Sequence, residues 1–231
     1  MANVIKLCGL TKDEIEERVS PYREKGFYVS VFEHNLDARI ELSDSSRDEN
    51  AQAIAASYMA NDFKDNVYST FDLPLEVMSA KLLKTNKAVL STAESLTGGL
   101  VASRLVSVAG ISENFFEGIV CYDALSKIVR CGVDRHTIEK FGTVSKETAV
   151  EMVEGLIVGK TNIALSTTGV AGPSESEGKE VGLVYIAVGR GDFIPVFEHR
   201  LSGTRNEIRE KTTNLALFYL VRYLQGNILL L

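Results

Sequence analysis

The sequence holds only three cysteines and three histidines in 231 residues, and neither set has the spacing of a metal site. Cys8, Cys121 and Cys131 are odd in number and include no C-x-x-C pair, which argues against a disulfide framework and a structural zinc. His34, His136 and His199 form no H-x-x-x-H or H-E-x-x-H pair, so no metal site is expected. Long apolar runs are missing as well. No stretch approaches the roughly 20 uninterrupted apolar residues of a membrane helix, and no membrane association is expected. The opening "MANVIKLCGLTKDEIEE" lacks the basic start and small-residue cleavage site of a secretory signal, so the expected location is cytoplasmic. A basic excess is the last absence. The net charge is −6: residues 1–73 carry 8 Lys/Arg against 14 Asp/Glu, and the remaining 17 of each cancel. Nucleic-acid affinity depends on cations that neutralise phosphates, so no nucleic-acid partner is expected and an anionic ligand needs a local pocket.

What is present is ordinary globular composition, 45 % apolar and 24 % charged, with no internal repeat or low-complexity segment. The length and a change of pattern predict two domains. Residues 1–73 read as β-α-β-β-α-β, a small α+β unit. "NVIKLCGL" is a strand. A helix with Ile15, Val19 and Tyr22 inward follows a Thr11 cap and is expected to end or bend at Pro21. "HNLD" is the hairpin turn between "FYVSVFE" and "ARIELS". A second helix is expected from near Ser46 with Ala53, Ile54, Tyr58 and Met59 inward, then "NVYST" as a strand. Residues 74–227 alternate strands and longer helices, which predicts a three-layer α/β/α domain with a mostly parallel, mixed sheet. Its ligand edge should be the carboxyl ends of the strands. The closing "NILLL" fits either a frayed tail or an interface patch.

Three loops carry candidate chemistry. In "TAESLTGGLVASRL", Ser95 lies between a strand and a helix opened by Thr97, Gly98 and Gly99, whose amides could hold an oxyanion or phosphate. The residues alone fit equally a capping Ser95 or Thr97 with packing glycines. Glu94 is expected to tie the turn through backbone hydrogen bonds or to pair with a basic neighbour. In "FFEGIVCYDALSKIV", a helix could return Lys127 to the same edge. A serine without a nearby histidine can lose its proton to a lysine whose pKa burial has lowered. A solvated lysine beside Asp123 is the alternative. In "STTGVAGPSESEGKEVG", Thr167, Thr168, Gly169, Ala171, Gly172 and Pro173 suit a nucleotide wall followed by a lid, rim or flexible connection. Arg205 and Arg209 in "SGTRNEIRE" lie one turn apart and could meet an anion, although Glu207 and Glu210 also fit a surface helix.

Taken in order, "AESLTGGLVASRL", "FFEGIVCYDALSKIVRCGV", "FGTVSKETAVEMVEG", "STTGVAGP" with "VGLVYIAV", and "GTRNEIRE" resemble the CinA carboxy-terminal domain. That family is also called the PncC or nicotinamide-nucleotide amidohydrolase family, and the likeness covers about Leu75 to Gln225. "LCGLTKDEIEERV" is similar to the KH-type middle region of CinA proteins. Residues 1–73 hold only Gly9 and Gly26 and so lack a G-x-x-G clamp, and this segment is expected to dock or dimerise rather than bind RNA. The molybdopterin-binding-like domain of full-length CinA has no counterpart in the sequence, so its pyrophosphatase activity is not expected.

The resemblance implies hydrolysis of nicotinamide mononucleotide to nicotinate mononucleotide and ammonia, without metal or other cofactor. It puts Ser95 at the nucleophile position, Lys127 at the general base and Tyr122 at an assisting hydroxyl. Thr168, Gly169 and Gly172 match its substrate loop, Arg205 a basic position, and Thr97, Gly98 and Gly99 the amides about the nucleophile. A homodimer or larger assembly is implied too. Leu96 stands where the family more often has Cys, and "SESEGKE" replaces a tract richer in glycine and proline. Two other functions remain compatible: a catalytically silent nucleotide- or partner-binding protein, and a serine amidase for another small amide.

Overall fold

The computed structural model describes residues 3–44, 46 and 48–228. The chain divides into two compact units, 1–75 and 76–231. In the first, β1 (Asn3–Cys8), α1 (Lys12–Glu24), β2 (Tyr28–His34), β3 (Asp37–Ser43), α2 (Glu49–Asp62) and β4 (Val67–Ser69) follow in the expected order. The four strands form an antiparallel sheet ordered β2-β3-β1-β4. Ile15, Val19 and Tyr22 of α1 and Ala55 and Met59 of α2 bury against Ile5, Leu7, Ile40 and Leu42 of the sheet. Asn35 and Leu36 both have positive φ, 51° and 68°, and join β2 to β3 with His34 opposite Asp37. Such a two-residue turn matches the right-handed twist of its strands.

In this unit the structure corrects the end of one helix and the inward face of another. Helix α1 does not end at Pro21 but continues to Glu24, because Val19 and Tyr22 on either side are anchored in the core. Helix α2 starts at Glu49, capped by Asp48, and turns Ala55, Ala56 and Met59 inward, leaving Ile54 57 % and Tyr58 67 % exposed. Alanine lets a helix approach a sheet closely, and this alanine-rich segment carries two overlapping apolar stripes between which spacing alone cannot choose. Leu229 to Leu231, most of the "NILLL" tail, lie outside the described residues.

The second unit contains α3 (Leu75–Thr85), β5 (Leu90–Glu94), α4 (Leu100–Val106), β6 (Phe115–Val120), α5 (Ala124–Cys131), α6 (Arg135–Phe141) and α7 (Lys146–Glu154). It continues with β7 (Ile163–Gly169), β8 (Leu183–Gly189), β9 (Val196–Arg200) and α8 (Arg205–Leu224). The sheet order is β6-β5-β7-β8-β9: β5 is parallel to β6 and β7, whereas β8 and β9 run antiparallel. Alternation separates the two faces. Ala93, Ala164 and Ala187 face Met152 and Val153 of α7, while Val184 faces Ile208 of α8. Helices on both faces of a mixed sheet give the α/β class expected. Helix α6, opened by an Asp134 cap, was not foreseen. No helix among the described residues is long and apolar enough to cross a membrane.

The topology fixes where chemistry can gather. The parallel strands β5, β6 and β7 end side by side, so Ser95, Tyr122 and Gly169 emerge at one edge. Backbone bonds hold the three ends together: Ser95 N–H donates to the Thr167 carbonyl at 2.9 Å, and Cys121 N–H to the Glu94 carbonyl at 2.9 Å.

Candidate active site

Strand β5 is followed by a turn that places Ser95 at the edge and starts α4 five residues later. Gly98 and Gly99 take left-handed φ values of 60° and 94°, which other residues rarely adopt. The Glu94 side chain turns back beneath the turn. Its carboxylate accepts from the amides of Gly99 at 2.9 Å, Val101 at 3.1 Å and Ala102 at 2.8 Å. The open end of α4 is therefore filled by a carboxylate of the chain itself, which satisfies orphan donors and suits the helix dipole. Gly98 N–H is also engaged, donating to the Ser95 carbonyl at 3.1 Å. The expectation that Gly98 and Gly99 amides stand ready for an oxyanion or phosphate thus fails, while the tying role expected of Glu94 holds.

Lys127 projects from α5 into the interior and is 1 % exposed. The cap at Asp123 and the apolar stripe of the helix set this orientation, and the solvated alternative is excluded. Its Nζ lies 2.9 Å from Ser95 Oγ, 2.8 Å from the Cys121 carbonyl and 3.2 Å from the Tyr122 carbonyl. Burial pushes the Lys127 pKa below the ordinary lysine value, against smaller opposing effects of Cys121, Cys131, Glu177 and Asp123. A neutral amine has two N–H groups and one lone pair. The two carbonyls accept from Nζ, and in the neutral form, whose two N–H groups they would take up, the lone pair would face the Ser95 hydroxyl.

Tyr122 is 60 % exposed. Its carbonyl, not its hydroxyl, meets Lys127, and the hydroxyl instead accepts from Arg205 at 2.9 Å. Arg205 also donates to the Gly172 carbonyl, so one guanidinium links the ends of β6 and of the β7 loop. A cavity of about 170 Å³ opens here, lined by Ser95, Leu96, Tyr122, Thr143, Gly169, Gly172, Ser174, Ser176 and Arg205 among others. Seven of the sequence-derived residues gather there: Ser95, Lys127 behind it, Tyr122, Gly169, Ala171, Gly172 and Arg205. Thr97, Gly98, Gly99 and Thr168 do not line it. Thr97 and Thr168 are fully buried, the first hydrogen-bonded to Thr167 at 2.7 Å and the second donating to the Thr143 carbonyl at 2.7 Å. Thr167 and Thr168 belong to β7 rather than to the loop beyond it.

The segment 174–180 is tied down rather than loose. The Glu177 carboxylate accepts from Thr143 N–H at 2.8 Å and Thr143 Oγ1 at 2.7 Å, and Lys179 Nζ donates to the carbonyls of Phe141 and Val144. Gly142 makes this possible: a Cβ there would come within 2.3 Å of Glu177 Oε2. Leu96 is 3 % exposed and packs with Ala171, Val184 and Ile208, which accounts for an aliphatic side chain beside Ser95.

Arg209 was noted in the sequence only as half of a pair. It donates from Nε to the Leu96 carbonyl at 3.0 Å and from Nη2 to the Thr97 carbonyl at 3.1 Å. A signal at the helix start was available: Thr204 and Glu207 have the spacing of a capping box, which they form. Among the described residues, no cluster of three or more His, Cys, Asp or Glu is arranged to hold a metal.

With this geometry in hand, the comparisons are specific. The family model for the CinA C-terminal domain matches residues 72–224. A putative competence-damage inducible protein of Acetivibrio thermocellus is 36 % identical over 96 % of this chain and 56 % of its own length. A CinA-like protein of Fusobacterium nucleatum is 49 % identical over 60 % of this chain and 34 % of its own. The chain spans little more than half the length of the first of these curated relatives. The crystal structure of the competence/damage inducible protein CihA of Agrobacterium tumefaciens is 35 % identical with a TM-score of 0.61, covering 68 % of this chain and 99 % of that one. A CinA superfamily protein of Klebsiella pneumoniae is 27 % identical with a TM-score of 0.64, covering 66 % of this chain and 96 % of that one.

Proposed function

The chain belongs to the CinA family, and on that premise we propose that it hydrolyses the carboxamide of nicotinamide mononucleotide, releasing ammonia and nicotinate mononucleotide for pyridine-nucleotide salvage. The observation that carries this reading is the buried 2.9 Å contact between Lys127 Nζ and Ser95 Oγ. Ser95 Oγ bonds to the carboxamide carbon while its proton passes to Lys127, and the carbonyl electron pair moves onto oxygen. Collapse of that adduct breaks the C–N bond. Lys127 returns the proton to the departing nitrogen, which leaves as ammonia, and Ser95 is acylated. Water then attacks the acyl carbon, giving a proton to Lys127, and the Ser95–carbon bond breaks as the serine oxygen regains it. No metal or other cofactor takes part. Gly169 and Gly172 are read as walls for the substrate, and Tyr122 and Arg205 as its polar mouth. Thr97, Gly98, Gly99 and Thr168 act behind the wall, shaping the turn and the strand end.

The size of the cavity favours a second reading. At about 170 Å³ it is smaller than the roughly 300–1,000 Å³ that encloses a drug-sized ligand, so it suits a flat carboxamide with the rest of the molecule outside. Another small amide would meet the same Ser95 and Lys127. Residues 1–73 are read as a docking or dimerisation module that precedes the amidase domain, 74–227, in the sequence of a cytoplasmic homo-oligomer that does not bind nucleic acid. The names of the relatives refer to competence, and a silent partner-binding protein is the reading that remains if turnover is absent. Ammonia release from nicotinamide mononucleotide by the purified chain, and its loss in Ser95→Ala, tests the proposal.

A further inference from the structure

The turn after Ser95 exposes a contrast between its carbonyls and its amides. All three carbonyls are held: that of Ser95 by Gly98 N–H, that of Leu96 by Arg209 Nε, and that of Thr97 by Arg209 Nη2 with Leu100 N–H at 3.3 Å. The N–H groups of Leu96 and Thr97 have no acceptor among the described residues, although Leu96 is 3 % exposed and Thr97 fully buried. Buried amides without partners are uncommon and costly. A trans peptide directs each N–H opposite to the C=O of the residue before it, so Arg209 fixes the Thr97 N–H through the Leu96 carbonyl and the Gly98 N–H through the Thr97 carbonyl, and the bond of Gly98 N–H to the Ser95 carbonyl in turn fixes the Leu96 N–H. Leu96 lines the cavity beside Ser95.

We propose that Arg209 is a positioning residue for the reaction: it holds the turn so that the Leu96 N–H, backed by that of Thr97, forms the oxyanion hole for the adduct on Ser95. This inference rests on the proposed Ser95 chemistry. It replaces the amides of Gly98 and Gly99, which are engaged, and it assigns α8 a task that its surface-like sequence conceals. Ser95 Oγ bonds to Lys127, while Arg209 bonds to the Leu96 and Thr97 carbonyls and to Asn206 Oδ1. Its guanidinium is bound to two carbonyls at once, and Lys at this position would reach only one, so the two residues are not interchangeable.

The test compares Arg209→Gln and Arg209→Lys with the wild type in two assays. In the first, kcat and KM are measured for ammonia release from nicotinamide mononucleotide. In the second, mass spectrometry follows the rate at which a fluorophosphonate modifies Ser95, a reaction that also generates an oxyanion but needs no nucleotide. Removal of an oxyanion donor lowers kcat by about 10²–10³-fold in comparable sites. Arg209→Gln should lose about 10²-fold in kcat and in labelling rate with KM within about threefold, and Arg209→Lys should fall between. The acid limb of the pH profile should stay where the wild type has it. Arg104→Gln is the control, because Arg104 binds Asn214 of the same helix and Glu76 but not the turn. It should lose stability and keep both rates. Unchanged rates per folded Arg209 variant, or a moved acid limb with an unchanged plateau, would overturn the inference. If Arg209→Gln does not fold, Arg209→Lys decides. Labelling of Ser95 without ammonia release by the wild type would count against the nucleotide substrate while leaving the labelling arm to judge Arg209.

Discussion

Lys127 can take a proton from Ser95 only while it is neutral, and its burial between the Cys121 and Tyr122 carbonyls is what favours that form. The same burial makes the residue a stability element with a defined sign. In the unfolded chain Lys127 titrates near its ordinary value of 10.5, and in the folded protein below it. Between the two, the unfolded state binds more protons, so stability rises with pH through that window and is lowest beneath the folded value. Lys127→Met removes the window. Turnover should vanish in this variant, and its urea midpoint relative to wild type should fall as pH is raised toward 10.5. A difference that stays constant with pH would mean that Lys127 is not held neutral. The acid limb of wild-type activity should lie below the ordinary lysine range for the same reason.

At the scale of elements, the join of β5 to α4 depends on one side chain. Glu94 brings a negative charge to three amides at the helix start. Glu94→Gln keeps the size but puts an NH₂ group against N–H donors. Hydrogen bonds to charged groups contribute about 1.5–3 kcal/mol each, and the replacement retains some of them. A loss of about 2–3 kcal/mol is expected, seen as a fall in Tm of roughly 5–10 °C in a domain of this size. A Tm within about 1 °C of wild type would contradict this role. The sequence made the element order legible because strands and caps are local: Thr11 caps the helix it was expected to open. It made Ser95 and Lys127 legible as a pair through the order of motifs. The inward face of α2 was not legible, since alanines fit either side of a helix. Nor was the engagement of the Gly98 and Gly99 amides, because whether Glu94 bends back under the turn depends on the β5 and α4 positions together. The restraint of 174–180 by Thr143 likewise joins residues more than thirty positions apart.

At the scale of the whole molecule, every residue placed in the site lies between Glu94 and Arg209, inside the second compact unit. About two thirds of this chain covers nearly all of each solved relative compared with it. A chain of residues 74–231 should therefore fold and retain kcat within about threefold of the full protein, measured by ammonia release; a fall to background would show that residues 1–73 complete the site. The central claim is the reaction itself. Its most direct measurement is ammonia release from nicotinamide mononucleotide by the purified full chain and by Ser95→Ala, with product identified by mass spectrometry. The account predicts stoichiometric ammonia and nicotinate mononucleotide from the wild type and none from Ser95→Ala. Folded wild type that releases no ammonia, or Ser95→Ala that still does, would contradict it.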